Sequence, residues 1–363
     1  MTGSATTAHA VTPYGRTAGS SRVRVFSWLD RVSTPVQVHS YLSHRNADPA
    51  YLVRHPGAVR AAELDLRRLA GNRPATLLLH REASPLSRGG LETALLTGAG
   101  WSVYDVDDAL HTDTGNGPSW RRLAPKSAKA LSAARHADRV VAGNEILADW
   151  ASGHARDVVV IPSCVDPADY RPKQDYRVSD PPVLGWIGSP DNEALLATIG
   201  PALRELHRRT GARVRLVGTD RPSLGELEPI IDRTRWSPGS QRELLATMDV
   251  GLMPLHDDPY SRGKCGYKLL QYAAAGVSAV ASPVGTNRSI LADLGLPAAT
   301  SQQEWIGVVL GLLEASTESR AALGQQIREV VTRGYSYAAW RQRWVEAVGL
   351  TGCPRADVPG SVA

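Results

Sequence analysis

The feature that most limits what this chain can fold into is a series of short apolar segments, each followed by an amphipathic stretch. The series stops in a segment rich in Pro, Asp and Tyr and then starts again. Parallel strands need long crossovers, and a helix fills each crossover while covering a face of the sheet. In the first half, Val23–Phe26, Ala75–His80, Trp101–Val106, Arg139–Ala142 and Val158–Ile161 read as strands. Gly57–Ala70, Leu86–Gly98 and Asn144–Ser152 read as the helices between them. Val165–Pro182 carries neither a helical nor a strand period and reads as a linker.

The second half restarts with a strand over Val183–Ile187 that ends in Gly188. Ser189 is placed as an N-cap, with Pro190 at the first helical position. Leu195, Leu196, Ile199, Leu203 and Leu206 supply one apolar face, and Gly211 closes the helix. Strands over Val214–Val217, Val250–Pro254 and Val277–Ser282 follow, with a helix over Gly266–Ala275 before the last. Further helices run from Glu304 to Val348.

A length of 363 residues exceeds one ordinary hydrophobic core. The expected organisation is a disordered tail (1–21), a first Rossmann-like domain (22–165), a linker (166–182) and a second Rossmann-like domain (183–335). A C-terminal helix and tail (336–363) are expected to pack back on the first domain. Two doubly wound α/β domains facing a central cleft would place ligands outside the carboxyl ends of their strands.

Composition narrows the function classes. No apolar run approaches the roughly 20 residues of a spanning helix, so no integral membrane segment is expected. The chain does not open on a charged-then-apolar signal, which points to the cytoplasm. Three scattered cysteines, Cys164, Cys265 and Cys353, form neither a disulfide framework nor a zinc spacing. The net charge is +5, but the arginines are dispersed among acids and no nucleic-acid-binding signature is present. An anionic small molecule fits this charge better than a nucleic acid does.

The segment Ser261–Gly276 reads SRGKCGYKLLQYAAAG and continues through an apolar run to Gly285. It describes a basic, glycine-containing loop entering a helix, then a buried strand and another turn. A helix start exposes N–H groups and a positive dipole end that suit a phosphate. The dipole contributes only about 0.3–1 kcal/mol at an exposed site, so Arg262, Lys264 and Lys268 are the candidates to supply full charge. The same local pattern also fits an ordinary loop–helix–strand unit with solvated lysines.

This segment resembles the retaining glycosyltransferases of group 1, or family 4, which have a GT-B fold. The resemblance is to a branch with Lys-Cys-Gly-Tyr-Lys in place of the usual Glu, seven residues, Glu motif. Gly266 and Gly276 fall on the motif's glycines. Gly263 and Gln271 stand at the two glutamate positions, of which the second holds the nucleotide ribose in that family. Val183–Pro190, Trp236–Ser237, Asp249–Leu255, Val140–Asn144 and Val160–Asp166 agree in order, so the resemblance covers residues 23–348. Trp186 and Asn192 stand where many relatives have a diphosphate-binding Arg and Lys, and no Gly-Gly pair follows Val23–Phe26.

The resemblance implies a nucleoside-diphosphate sugar (UDP-, GDP- or dTDP-sugar) as donor substrate, with no bound cofactor or metal. The donor would be held by Gly188, Arg262, Lys264, Gly266, Tyr267, Gln271, Gly285 and Thr286. Lys268 would serve the leaving diphosphate.

On the acceptor side, Tyr104–Asp108 ends a strand, with His111 and Asp113 close behind. Carboxylates there can hold hydroxyls or amines, bind a metal, act as acid and base, or cap the next helix. Asp107 occupies the place of a family histidine near the transferred sugar. Asp108 and His111 are acceptor-binding candidates. Arg81 and Glu82 end another strand, and either line the acceptor site or pair to fix their loop.

The reaction expected from the resemblance is hexosyl transfer with retention to a small-molecule acceptor. The protein would act as a monomer or homodimer. Its Ala-, Arg- and Gly-rich usage points to an actinobacterial source and natural-product biosynthesis. The alternatives are a nucleotide-sugar epimerase, a phosphorylase, a silent binding protein, or an enzyme of cell-envelope glycolipid or polysaccharide synthesis.

Overall fold

The computed structural model describes residues 8–42, 49–113, 123–219 and 222–350. Its internal contacts divide the chain into two compact units, Met1–Pro162 with Trp340–Ala363, and Ser163–Ala339. Each unit is built on one parallel sheet, as the alternation of segments requires.

The first sheet has the strands β1 (Ala8–Thr12), β2 (Val36–Ser40), β3 (Thr76–His80), β4 (Trp101–Val106), β5 (Arg139–Ala142) and β6 (Val158–Val160). Their order is β2-β1-β3-β4-β5-β6. The chain reverses its direction of travel across the sheet between β1 and β3, which makes that pair the switch point. Register sets His80 of β3 beside Asp105 of β4 at the carboxyl ends of the two strands. Helices Pro56–Gly71, Gly90–Gly98, Lys126–His136 and Glu145–Ser152 provide the crossovers. Trp344, from helix Tyr337–Ala347, stacks on Trp28 with centroids 5.1 Å apart and planes 7° from parallel.

The second sheet has β7 (Val183–Ile187), β8 (Arg213–Gly218), β9 (Ile231–Arg235), β10 (Val250–Met253) and β11 (Ala279–Ala281), in the order β11-β10-β7-β8-β9. Its switch point lies between β7 and β10. Helix Tyr267–Ala274 is tied to that pair by Tyr272, whose hydroxyl donates to the carbonyls of Gly185 (3.1 Å) or Leu252 (3.2 Å). Among the described residues no helix is long and apolar enough to cross a membrane.

Several sequence expectations are corrected here. Val23–Phe26 is not a strand. It lies in a helical segment formed by Gly19–Ser21, Arg22–Phe26 and Ser27–Leu29, and all four of its side chains are buried. A short, fully buried apolar run has no period that separates helix from strand. The strand paired with both β2 and β3 is β1, drawn from residues expected to be a disordered tail. The first loop is therefore the turn at Thr12–Gly15 that follows β1.

Edge strands β2 and β9 escape the sequence reading because VQVHS and IDRTR carry few apolar residues. The helix expected over Leu86–Gly98 begins at Gly90, because Ser87 bonds the N–H groups of Gly89 (3.0 Å) and Leu91 (3.4 Å). The helix expected after Ser189 is a 3-10 segment from Pro190 to Ile199, and α-helical only from Gly200. Pro201 has no N–H to continue a preceding α-helix and suits a new first turn.

Candidate functional site

The carboxyl edge of the second sheet gathers the loops after β7, β10 and β11. Lys268 lies in the first turn of helix Tyr267–Ala274, and its ammonium sits 5.1 Å from the centroid of the Trp186 ring. Trp186, the penultimate residue of β7, is almost wholly buried, so the ring is a fixed platform. A cation over an aromatic face gains about 0.5–2 kcal/mol. Gly188 permits this contact: a Cβ there would fall 2.5 Å from Trp186 and 3.0 Å from Lys268 Cε.

Lys264 has a similar arrangement. Its ammonium donates to Asn192 Oδ1 at 3.3 Å and stands 4.7 Å from the centroid of the Tyr260 ring. Trp186 and Asn192 are the two residues that replace a diphosphate-binding Arg and Lys in the resemblance. Each is in contact with one of the two lysines chosen to make good that charge.

The other donor-side candidates divide by what they touch. Arg262 is exposed and paired with Asp257 at 2.6 Å. Gly285 has φ +55°, and a Cβ there would lie 2.1 Å from the Arg262 carbonyl oxygen. Gly285 thus allows the turn after β11 to close on the Arg262 loop, and no side chain fits. Gly266 has φ +62° at the start of the helix. Thr286 precedes helix Asn287–Leu294 and accepts from the Ile290 N–H at 3.1 Å.

Tyr267 and Gln271 meet at Tyr170. The Gln271 amide donates to the Tyr170 hydroxyl at 3.3 Å, as does Gln241 at 3.1 Å, and Trp236 Nε1 donates to Gln241 Oε1 at 2.8 Å. Tyr170 is also hydrogen-bonded to Tyr267. Burial and then Tyr267 push its phenol well above the usual range, so it stays protonated.

The first unit has its own cluster at the carboxyl ends of β3 and β4. Arg81 has φ +62°, a left-handed conformation that costs a non-glycine residue about 1–3 kcal/mol. From this position its guanidinium bonds Asp107 at 2.6 Å and also bonds Asp108. Glu82 is held by the buried Lys129 at 2.5 Å, and that lysine also donates to the carbonyls of Ser84 (2.9 Å) and Pro85 (3.1 Å). His111 stacks on Trp150 with centroids 4.5 Å apart. Burial, then His154, lowers its pKa and favours the neutral imidazole.

Beneath this cluster lies a network that sequence reading did not find. Arg24 and Asp105 are buried and share bonds of 2.6, 3.1 and 3.2 Å, while Arg24 also donates to the Ile161 carbonyl at 2.8 Å. His80 Nδ1 meets Asp105 at 2.8 Å. Burial opposes ionisation of Asp105, but Arg24 and then His80 outweigh it and hold the pKa below the usual value. Arg24 was hidden in an apolar run, and no local pattern pairs it with a residue 81 positions away.

Asp107 behaves likewise. Burial works against its charge, yet Arg81, then His80 and Arg24, bring its pKa from 3.8 to about 2. A folded pKa below the unfolded one stabilises the fold above the unfolded pKa, and that contribution is lost as pH falls from about 4 to about 2. Replacing Arg81 by Met is expected to let burial raise the Asp107 pKa. Acid unfolding, followed by circular dichroism, should then begin about one pH unit or more higher. An unmoved acid limb would show that Arg81 does not hold Asp107 ionised.

No family model and no curated protein matches this chain. Solved structures do match it across nearly its whole length. Anabaena HepE in complex with UDP and glucose superposes with a TM-score of 0.66 at 13% identity, covering 95% of this chain and 100% of that one. The trehalose-6-phosphate synthase OtsA gives 0.66 at 11% identity, covering 96% and 100%. WaaG, a glycosyltransferase involved in lipopolysaccharide biosynthesis, gives 0.64 at 16% identity, covering 96% and 100%. Likeness at such low identity establishes architecture, and this chain has an α/β fold of the GT-B class with two Rossmann-like parallel-sheet domains.

Proposed function

We propose that this protein is a glycosyltransferase that moves a sugar from a nucleoside-diphosphate sugar to a hydroxyl or other nucleophile of a small-molecule acceptor. The observation that carries the reading is the pairing of Lys268 with Trp186 and of Lys264 with Asn192 at the switch point of the second sheet. One ammonium in the first turn of a helix and another in the loop before it provide the charge a diphosphate leaving group needs. The fold is also shared with HepE, a protein solved with UDP and glucose.

In this mechanism the acceptor oxygen bonds to the anomeric carbon as the bond to the diphosphate breaks. The lysines and the helix start stabilise the growing negative charge, and the departing phosphate takes the acceptor proton. Retention of configuration rests on the resemblance of Lys264–Gly285 to the retaining family. The Arg81–Asp107–Asp108 cluster, with Asp107 ionised, is assigned to hold acceptor hydroxyls or amines. Natural-product glycosylation is the setting that the composition favours.

The experiment is a panel of UDP-, GDP- and dTDP-sugars incubated with small acceptors, read by nucleoside diphosphate release and by NMR of the new anomeric centre. One nucleotide class should be released as a glycosidic bond of unchanged configuration forms. A free epimer or a sugar phosphate as product would replace this reading with an epimerase or a phosphorylase.

A further inference from the structure

The segment after β7 stays in 3-10 form for ten residues, Pro190–Ile199. Runs of this kind rarely pass about four residues, because their hydrogen bonds are poorly aligned and their side chains eclipse. So long a run needs anchors outside itself, and Glu193 supplies one near its start. Its side chain is only 3% exposed. Oε1 accepts from the Thr219 N–H at 2.9 Å, and Oε2 accepts from the Ser223 hydroxyl at 2.9 Å and the Arg233 guanidinium at 3.0 Å. Arg233, in β9, is fixed in turn by Glu228 at 2.6 and 3.0 Å. Gly218 leaves the space for this: a Cβ there would lie 2.8 Å from Glu193 Oε1 and 3.2 Å from the Gly188 carbonyl oxygen. One buried carboxylate thus joins the loops after β7 and β8 to β9.

Asn192 is the residue before this anchor. A lysine ammonium only donates, so Asn192 must present Oδ1 to Lys264, at 3.3 Å. Its Nδ2 then donates to Ser189 Oγ at 2.8 Å, and its backbone N–H donates to the Ser189 carbonyl at 3.0 Å. Both of those bonds lie within the same turn, so Asn192 goes where the turn goes.

We infer that the buried Glu193–Arg233 pair clamps the turn after β7 and, through Asn192, sets the Lys264 ammonium in place for the donor's diphosphate. This rests on the donor-site reading above. Glu193 and Arg233 are positioning residues that act through Lys264. A lysine side chain loses much rotamer freedom when it is fixed, and fixing it before the ligand arrives takes that loss out of binding. Lys268 has its own support in the Trp186 ring, so the clamp serves Lys264 alone.

The test is calorimetric titration of the full chain with UDP, GDP and dTDP. For the nucleotide that binds, Lys264→Ala should weaken affinity about ten-fold and Glu193→Gln about five-fold. Glu193→Gln added to Lys264→Ala should cost nothing further, whereas added to Lys268→Ala it should cost the same factor of about five. A purely structural Glu193 would instead weaken binding equally in both backgrounds. Should Glu193→Gln fail to fold, adding Arg233→Met removes the stranded guanidinium and carries the same comparison.

Unchanged affinity in Glu193→Gln, or the same loss with and without Lys264, would overturn the clamp. Unchanged affinity in Lys264→Ala would overturn the clamp and the role of Lys264, and leave the Lys268 part of the donor site standing. No binding of any nucleoside diphosphate by the wild-type protein would remove the donor site and the clamp with it.

Discussion

Replacing Lys268 by alanine is expected to lower turnover by about 10²–10³-fold and nucleoside diphosphate affinity by about ten-fold, with little change in melting temperature. The size follows from where the charge develops. The donor's diphosphate, already anionic, gains further negative charge as its bond to the sugar breaks, so a fixed cation at the diphosphate is worth more in the transition state than before it. Lys268 is suited to this because its ammonium is already placed by the Trp186 ring, 5.1 Å from its centroid, on a helix start. Little reorganisation is left for the moment of reaction.

Initial rates and calorimetry with the donor nucleotide check the prediction, and intact affinity in Lys268→Ala would sink the phosphate assignment. Arg262→Ala is the control. Arg262 is exposed and already shares its charge with Asp257 at 2.6 Å, so its removal should change either quantity only slightly.

The largest effect on stability is expected from Arg24→Leu, at about 3–5 kcal/mol. Arg24 and Asp105 are 0% and 1% exposed, and the guanidinium supplies three of the bonds that satisfy the carboxylate. Without Arg24 a buried carboxylate is left with its bond to His80 Nδ1. The first unit should melt about 6–20 °C lower, at roughly 2–4 °C per kcal/mol for a domain of this size.

Differential scanning calorimetry checks the magnitude, and pH checks the cause. In the wild-type protein the Asp105 pKa is depressed, so its contribution holds above the unfolded pKa and is lost as pH falls through the folded one. In Arg24→Leu the largest counter to burial is gone and the Asp105 pKa rises, so protonation relieves the variant. The stability gap should therefore narrow as pH falls. A double replacement, Arg24→Leu with Asp105→Leu, should recover part of the loss, because it removes the stranded charge as well. A gap independent of pH would mean that packing around Arg24, not its charge, matters.

The sequence by itself determined whatever depends on residues close together in the chain. Strands β3, β4, β5, β6, β7, β8, β10 and β11 are apolar runs flanked by turn signals, and their alternation with helices required parallel sheets. Lys264, Gly266 and Lys268 were legible as a basic, glycine-containing helix start because loop, glycine and lysines lie close together in the chain.

Tertiary structure alone decided which charges meet. Arg81 pairs with Asp107 and Asp108, while its neighbour Glu82 is held by Lys129, 47 positions away. Val23–Phe26 is a buried helical segment from which Arg24 reaches Asp105, and β1 took the strand position among residues that looked like a tail. Trp186 and Asn192 read as lost charges until the fold set Lys268 over one and Lys264 against the other. The physical reason is range: periodicity and capping record interactions within one or two turns of backbone. A buried ion pair or a cation over a ring is fixed only when the sheet brings distant strand ends side by side.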